Sequence, residues 1–123
     1  MKSIDHYALS SISKKAAEDI FIGVFEFELL YTFTLDEKTA DQVFGVKMDV
    51  EVLVFGMDGV KIEVFINTNS KNSTYGHLAI KIEDKDALLS RCKRFSVKHF
   101  RVDRGERQVL FLEDASGNLF EIK

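Results

Sequence analysis

Apolar and polar residues along this chain fall into short alternating or helically spaced runs, and one order of runs occurs twice. Residues 4–10 alternate as a strand, with Ile4, His6, Ala8 and Ser10 on one side and Asp5, Tyr7 and Leu9 on the other. Ser11 or Ser13 is placed to cap a helix running from about Lys14 to Gly23. Ala17, Ile20, Phe21 and Val24 lie at helical spacing within it, and Gly23 sits near its end. Phe25 to Thr34 is aromatic, β-branched and aliphatic, and reads as a second strand. The polar stretch Leu35 to Met48 follows, with one helical turn predicted over 39–45. Val50–Phe55 and Val60–Asn67 then make a hairpin about Gly56-Met57-Asp58-Gly59, where glycine supplies the turn geometry. The order is βαβββ.

Residues 67–75, Asn-Thr-Asn-Ser-Lys-Asn-Ser-Thr-Tyr, have a linker composition. After them Gly76–Ile82 reads as a strand and Asp84–Phe95 as a helix, with Ala87 or Leu88, Leu89, Cys92 and Phe95 near one face. Val97–Val102, Gln108–Glu113 and Leu119–Lys123 are strands, separated by turns at Arg104-Gly105-Glu106 and Asp114-Ala115-Ser116-Gly117-Asn118. The second half is βαβββ again. The expectation is an α+β domain over 1–123, with module one at 1–67, a linker at 68–75 and module two at 76–123.

Composition narrows the class. A hydrophobic share of 46% beside 30% charged residues is that of an ordinary globular domain and excludes a disordered chain. A net charge of −3 argues against a general nucleic-acid binder, so basic runs such as 91–94 are read as a solvated helix face. The lone Cys92 has no internal disulfide partner, which suits a reducing compartment; at helical spacing it is read as core rather than as a nucleophile. No run approaches the ~18 apolar residues of a membrane span, and residues 1–6 have no apolar signal region. A cytoplasmic protein, free of membrane and nucleic acid, is the expectation.

The candidate chemistry lies in the repeat itself. His6 and His77 each open a strand as His-x-Ala-aliphatic, and Glu63 and Glu121 each sit within a later strand of the matching half. Alternation puts each of these residues on the face opposite an apolar set: Tyr7 and Leu9, Ile62 and Val64, Leu78 and Ile80, Phe120 and Ile122. Two imidazoles and two carboxylates are a suitable donor set for a divalent metal, with Ala8 and Ala79 leaving room beside the histidines. A single His or Glu in a half-buried strand more often just points at water; the coincidence with the repeat favours a site. His99 has no counterpart in the first half and is read as a surface or supporting residue.

On these residues the chain resembles the vicinal-oxygen-chelate superfamily of glyoxalase I, fosfomycin- and bleomycin-resistance proteins, methylmalonyl-CoA epimerase and extradiol dioxygenases. The resemblance covers essentially the whole chain. Its most specific part is 112–122, where Asp114-Ala115-Ser116-Gly117-Asn118 is close to the family's turn before its last metal-binding glutamate. Gly76-His77-Leu78-Ala79-Ile80 and Asp5-His6-Tyr7-Ala8-Leu9 resemble the strands that open the two modules. The resemblance implies paired βαβββ modules in a curled mixed-sheet cup with helices outside. It also implies a metal held by His6, Glu63, His77 and Glu121, the full set of glyoxalase I. Extradiol dioxygenases leave the position of Glu63 free, and the epimerase has glutamine there. The segment 20–28 is a loose version of the family's helix end, and no counterpart is seen to the glutathione contacts of glyoxalase I.

The implied activity is that of a metal-dependent glyoxalase-like lyase or isomerase acting on a small carbonyl compound through a metal-stabilised enediolate. Zn, Ni, Co, Mn or Fe suits the donors. Glu121 is the expected base, with Glu63 the alternate. Arg101, Arg104, Phe65 and Phe111 are candidate substrate contacts, although surface charge is the favoured reading of the arginines and core packing explains the phenylalanines equally well. The alternatives are a bleomycin-resistance-type binding protein without turnover and an extradiol-type dioxygenase. A homodimer is expected, with the site either within one chain or shared between two.

Overall fold

Local signals in the chain account for most of its elements, which the computed structural model describes over residues 1–69 and 74–123. In order they are β1 (His6–Ser11), α1 (Lys14–Glu18), β2 (Glu28–Leu35), α2 (Glu37–Phe44), β3 (Val50–Met57), β4 (Val60–Ile66), β5 (His77–Ile80), α3 (Lys85–Arg94), β6 (Lys98–Asp103), β7 (Gln108–Glu113) and β8 (Leu119–Ile122). All three helices start on a side-chain cap: Ser13 accepts from the Ala16 amide, Asp36 from Thr39 and Asp84 from Ala87. The Asp36 carboxyl is held below its ordinary value by those Thr39 hydrogen bonds. The expected linker falls partly on residues 70–73, which lie outside the described residues.

Three boundaries differ from the sequence reading. The first helix runs on past α1 as a π-helical stretch, Asp19–Val24. The wider turn brings Phe25 and Phe27 into the core, with Glu26 at φ 59° between them, so β2 begins at Glu28. The single turn expected over 39–45 is a full helix, α2, closed by Gly45 at φ 70°. Gly56 belongs to β3 and not to the hairpin turn. A Cβ there would stand 2.8 Å from Leu30 Cδ1, so the side chain of β2 occupies its place.

The strands form two mixed four-stranded sheets, ordered β1-β4-β3-β2 and β5-β8-β7-β6. In each sheet the first and last strands of the module pair in parallel and the remaining pairs are antiparallel. Neither sheet closes on itself, and each has the curled βαβββ form expected of half a cup. One apolar core serves both modules. Phe21 stacks on Phe55 at 5.1 Å and meets Phe120 of the other sheet edge-on at 5.9 Å; Phe25 reaches Phe120 at 5.1 Å. Leu88 and Cys92 of α3 are fully buried in the same core, and burial pushes the Cys92 thiol up. Arg91 ties α3 to the first module, its Nε donating to the Val24 carbonyl at 2.7 Å.

The helices do not all lie on the outer faces. α1, its π-helical extension and α3 pack against the apolar face of the sheets. α2 lies on the other face, where Phe44 meets Phe65 edge-on at 5.3 Å. Val52 and Val54, also on that face, are fully buried though they lie outside the main core.

Candidate functional site

The two modules position an imidazole and a carboxylate by the same strand register. In the first, Ala8 pairs with Glu63 across the parallel β1/β4 ladder; in the second, Ala79 pairs with Glu121 across β5/β8. Each histidine lies two residues before its alanine and so shares its face. The small alanine leaves the carboxylate free to reach the ring. His6 Nε2 stands 3.4 Å from Glu63 Oε1, and His77 Nε2 stands 3.8 Å from Glu121 Oε2. The glutamates are mostly covered, at 17% and 20% exposed, and the histidines about twice as open.

The other ring nitrogen is engaged in both cases. His6 Nδ1 donates to Asp5 Oδ2 at 2.8 Å, and His77 Nδ1 donates to the Tyr75 carbonyl at 2.9 Å. With Nδ1 carrying the proton, a neutral imidazole presents the Nε2 lone pair to a carboxylate. Two acceptors then face each other, an arrangement satisfied by a proton or a cation between them. The hydrogen bond to Asp5 raises the His6 pKa above its ordinary value, and the Asp5 carboxyl is correspondingly lowered by its bond to His6. Neither Asp5 nor Tyr75 stood out in the sequence. Asp5 could have been noticed as the neighbour of His6, but the Tyr75 contact is made by a backbone carbonyl, which carries no residue-type signal.

The four residues do not meet within one chain. Among the described residues no group of three or more His, Cys, Asp or Glu side chains lies close enough to hold a metal. A polar seam joins the two modules. Asn118 Nδ2 donates to the Ser10 carbonyl at 2.8 Å, and Ser116 Oγ accepts from the Ile12 amide at 2.9 Å and lies 3.1 Å from Ser11 Oγ. Asp114 closes the turn, accepting from the Ser116 and Asn118 amides and from Asn118 Nδ2. Burial raises the Asp114 pKa against the lowering effect of those hydrogen bonds. This network contains Ser11, Asp114, Ser116 and Asn118, the buried polar residues of the described chain. It aligns the end of β1 with the start of β8 and therefore with His77, the register partner of Leu119. A cleft of about 200 Å³ opens along the seam, lined by Ala8, Ser10, His77 and Leu119 among others.

The candidate substrate contacts divide. Phe65, two residues after Glu63, and Phe111, the cross-strand partner of Glu121, share the faces of the carboxylates. Arg101, a candidate contact for which surface charge was the favoured reading, pairs with Leu110, a core residue, and so takes the opposite face of the sheet. His99 likewise pairs with Leu112 on that side. Arg104 lies in the exposed turn after β6, its amide bonded to the Arg107 carbonyl at 2.8 Å.

No family model matches the chain, and no curated protein matches it significantly. Solved structures do. A glyoxalase family protein from Enterococcus faecalis aligns over 98% of this chain and 96% of its own, with 21% identity and a TM-score of 0.72. The fosfomycin resistance protein FosX from Mesorhizobium loti aligns over 99% and 90%, with 18% identity and a TM-score of 0.71. A mutant of FosX from Listeria monocytogenes, complexed with Mn(II) and 1S,2S-dihydroxypropylphosphonic acid, aligns over 99% and 91% with 21% identity and a TM-score of 0.72. At such identities the likeness establishes the fold. The chain therefore has the fold that these glyoxalase family and FosX proteins share. No helix among the described residues is long and apolar enough to cross a membrane.

Proposed function

We propose that the protein is a metal-dependent, glyoxalase-like lyase or isomerase acting on a small carbonyl compound. The observation that carries this reading is the pair of equivalent half-sites, each an imidazole Nε2 facing a carboxylate with Nδ1 already engaged. The donor chemistry fits a divalent metal, and the Mn(II) held by a FosX of the same fold supports one. Two donors per half-site leave the set incomplete, so we assign the full His6, Glu63, His77 and Glu121 set to a homodimer. Module one of one protomer would then face module two of its partner.

When bound, the metal would supply Lewis acidity to a substrate carbonyl. The residues do the rest. The imidazoles, fixed by Asp5 and the Tyr75 carbonyl, keep their Nε2 lone pairs aimed at the site. Glu121 is the base that takes the proton from the carbon beside the carbonyl and returns it to the neighbouring carbon; Glu63 is the alternate. Phe65 and Phe111 line the site without adding charge.

Elemental analysis of untreated protein tests the metal, and subunit mixing tests the arrangement. A Glu63→Gln chain and a Glu121→Gln chain, each deficient in metal alone, are unfolded together and refolded. A site shared across the dimer restores about a quarter of the sites, since half the dimers are mixed and one site of each is intact. No restoration sinks the shared arrangement, and metal-free wild-type protein with its fold intact sinks the enzyme reading.

A further inference from the structure

The row of side chains that crosses the second sheet through Glu121 differs from its counterpart in the first. Following the register, it runs Ala79, Glu121, Phe111, Phe100. The equivalent row in the first sheet runs Ala8, Glu63, Val54, Tyr31, and Val54 is fully buried. Beside Glu121, by contrast, stands an open aromatic shelf. The rings of Phe100 and Phe111 are nearly parallel, at 15° and 5.4 Å, and Phe100 remains 37% exposed. Adjacent strands lie about 4.8 Å apart, so the shelf begins one strand from the carboxylate.

The surroundings of the shelf bear on what group can rest there. On the same face Lys98 stands 3.4 Å from Glu113 and Lys123 3.9 Å from Glu121. Arg101 takes the opposite face, so the side chain that β6 presents beside Phe111 is the Phe100 ring. A flat aromatic surface beside a general base favours a planar apolar substituent.

We infer that the substrate carries an aryl group on its reacting carbon, and that this ring lies on the Phe100–Phe111 shelf beside Glu121. The inference rests on the proposed site and names the substrate class it serves. Phe100 is thereby a specificity residue that the chain's own pattern does not single out.

Mandelate and lactate test it, because they share a 2-hydroxy acid head and differ in phenyl against methyl. Their affinities are measured by ligand-observed NMR titration on wild type, Phe100→Ala and Phe100→Leu, before and after chelation, with sedimentation to follow oligomeric state. Wild type is expected to bind mandelate at least about tenfold more tightly than lactate, with that ratio falling to within about threefold in either variant. Phe100→Leu keeps apolar bulk without the ring face, and so covers the case in which Phe100→Ala fails to fold. A mandelate preference that survives chelation keeps the shelf and removes the metal from the reading; a preference lost only on chelation keeps both. Equal affinities, or binding of neither acid, overturn the aryl assignment whatever the metal content. So does a Phe100 variant that merely dissociates the protein, since the shelf would then be covered by a second copy.

Discussion

The two modules keep the same backbone register around their polar pairs and differ in nearly everything that surrounds them. Alanine faces glutamate in both parallel ladders, and the imidazole–carboxylate distances agree within half an ångström, at 3.4 and 3.8 Å. The outer ring nitrogen, however, meets a carboxylate in the first module and a backbone carbonyl in the second. The face beyond the pair is overlain by α2 in one and carries an open aromatic shelf in the other. The difference shows what each level controls: strand pairing sets the donor geometry, while the surroundings are free to set basicity and ligand preference.

The equivalence can be broken most severely at the carboxylates. Glu63→Gln and Glu121→Gln are each expected to weaken metal binding by more than about 100-fold, since loss of even a supporting contact costs 10–100-fold. Elemental analysis and titration of the two variants side by side check this, and unequal losses would mean that one module holds the ion alone. Next in size is the joint between the modules. Phe120→Ala removes a fully buried ring that meets Phe21 and Phe25, and should cost about 3–5 kcal/mol in urea unfolding. One cooperative transition is expected in wild type because the core is shared; two would show that the modules are separable.

The seam gives a smaller effect. Asn118→Ala leaves the Ser10 carbonyl and the Asp114 carboxyl short of a donor, for a loss of about 2–3 kcal/mol. Chemical denaturation together with hydrogen exchange at the end of β1 would read both the loss and its location. The smallest effect distinguishes the ring partners. His6 should titrate above its ordinary 6.5, and Asp5→Asn should bring the midpoint down, as read from the imidazole C–H signals in NMR. The sign follows from both groups. The pair's contribution is fully present between the ordinary Asp value of 3.8 and the ordinary His value of 6.5. It fades as pH rises through the raised His6 value, and again as pH falls through the lowered Asp5 value.

Much of this was legible in the residues. Period-two runs marked most of the strands, and the choice of Ser11 or Ser13 as cap marked the first helix start, which falls at Ser13. The His-x-Ala repeat with its two glutamates located both pairs, because strand alternation is a local property. The π-helical stretch was not legible, since its apolar spacing fits an α-helix equally well, and α2 was underestimated because its composition is largely polar. The face of Arg101 was not legible for a related reason. An exposed strand such as β6 has no buried face to declare its orientation, so only pairing with β7 reveals that Phe100, not Arg101, faces the site.

The sequence alone determined the two βαβββ modules, the faces of the half-buried strands and the four polar residues, all of which depend on residue order over a few positions. The tertiary structure decided where those residues stand relative to one another. One shared phenylalanine core and the Ser11–Asp114–Ser116–Asn118 network hold the modules so that the two imidazole–carboxylate pairs stay separate. That separation arises from long-range packing and hydrogen bonds between residues as far as 108 positions apart, which no local pattern encodes.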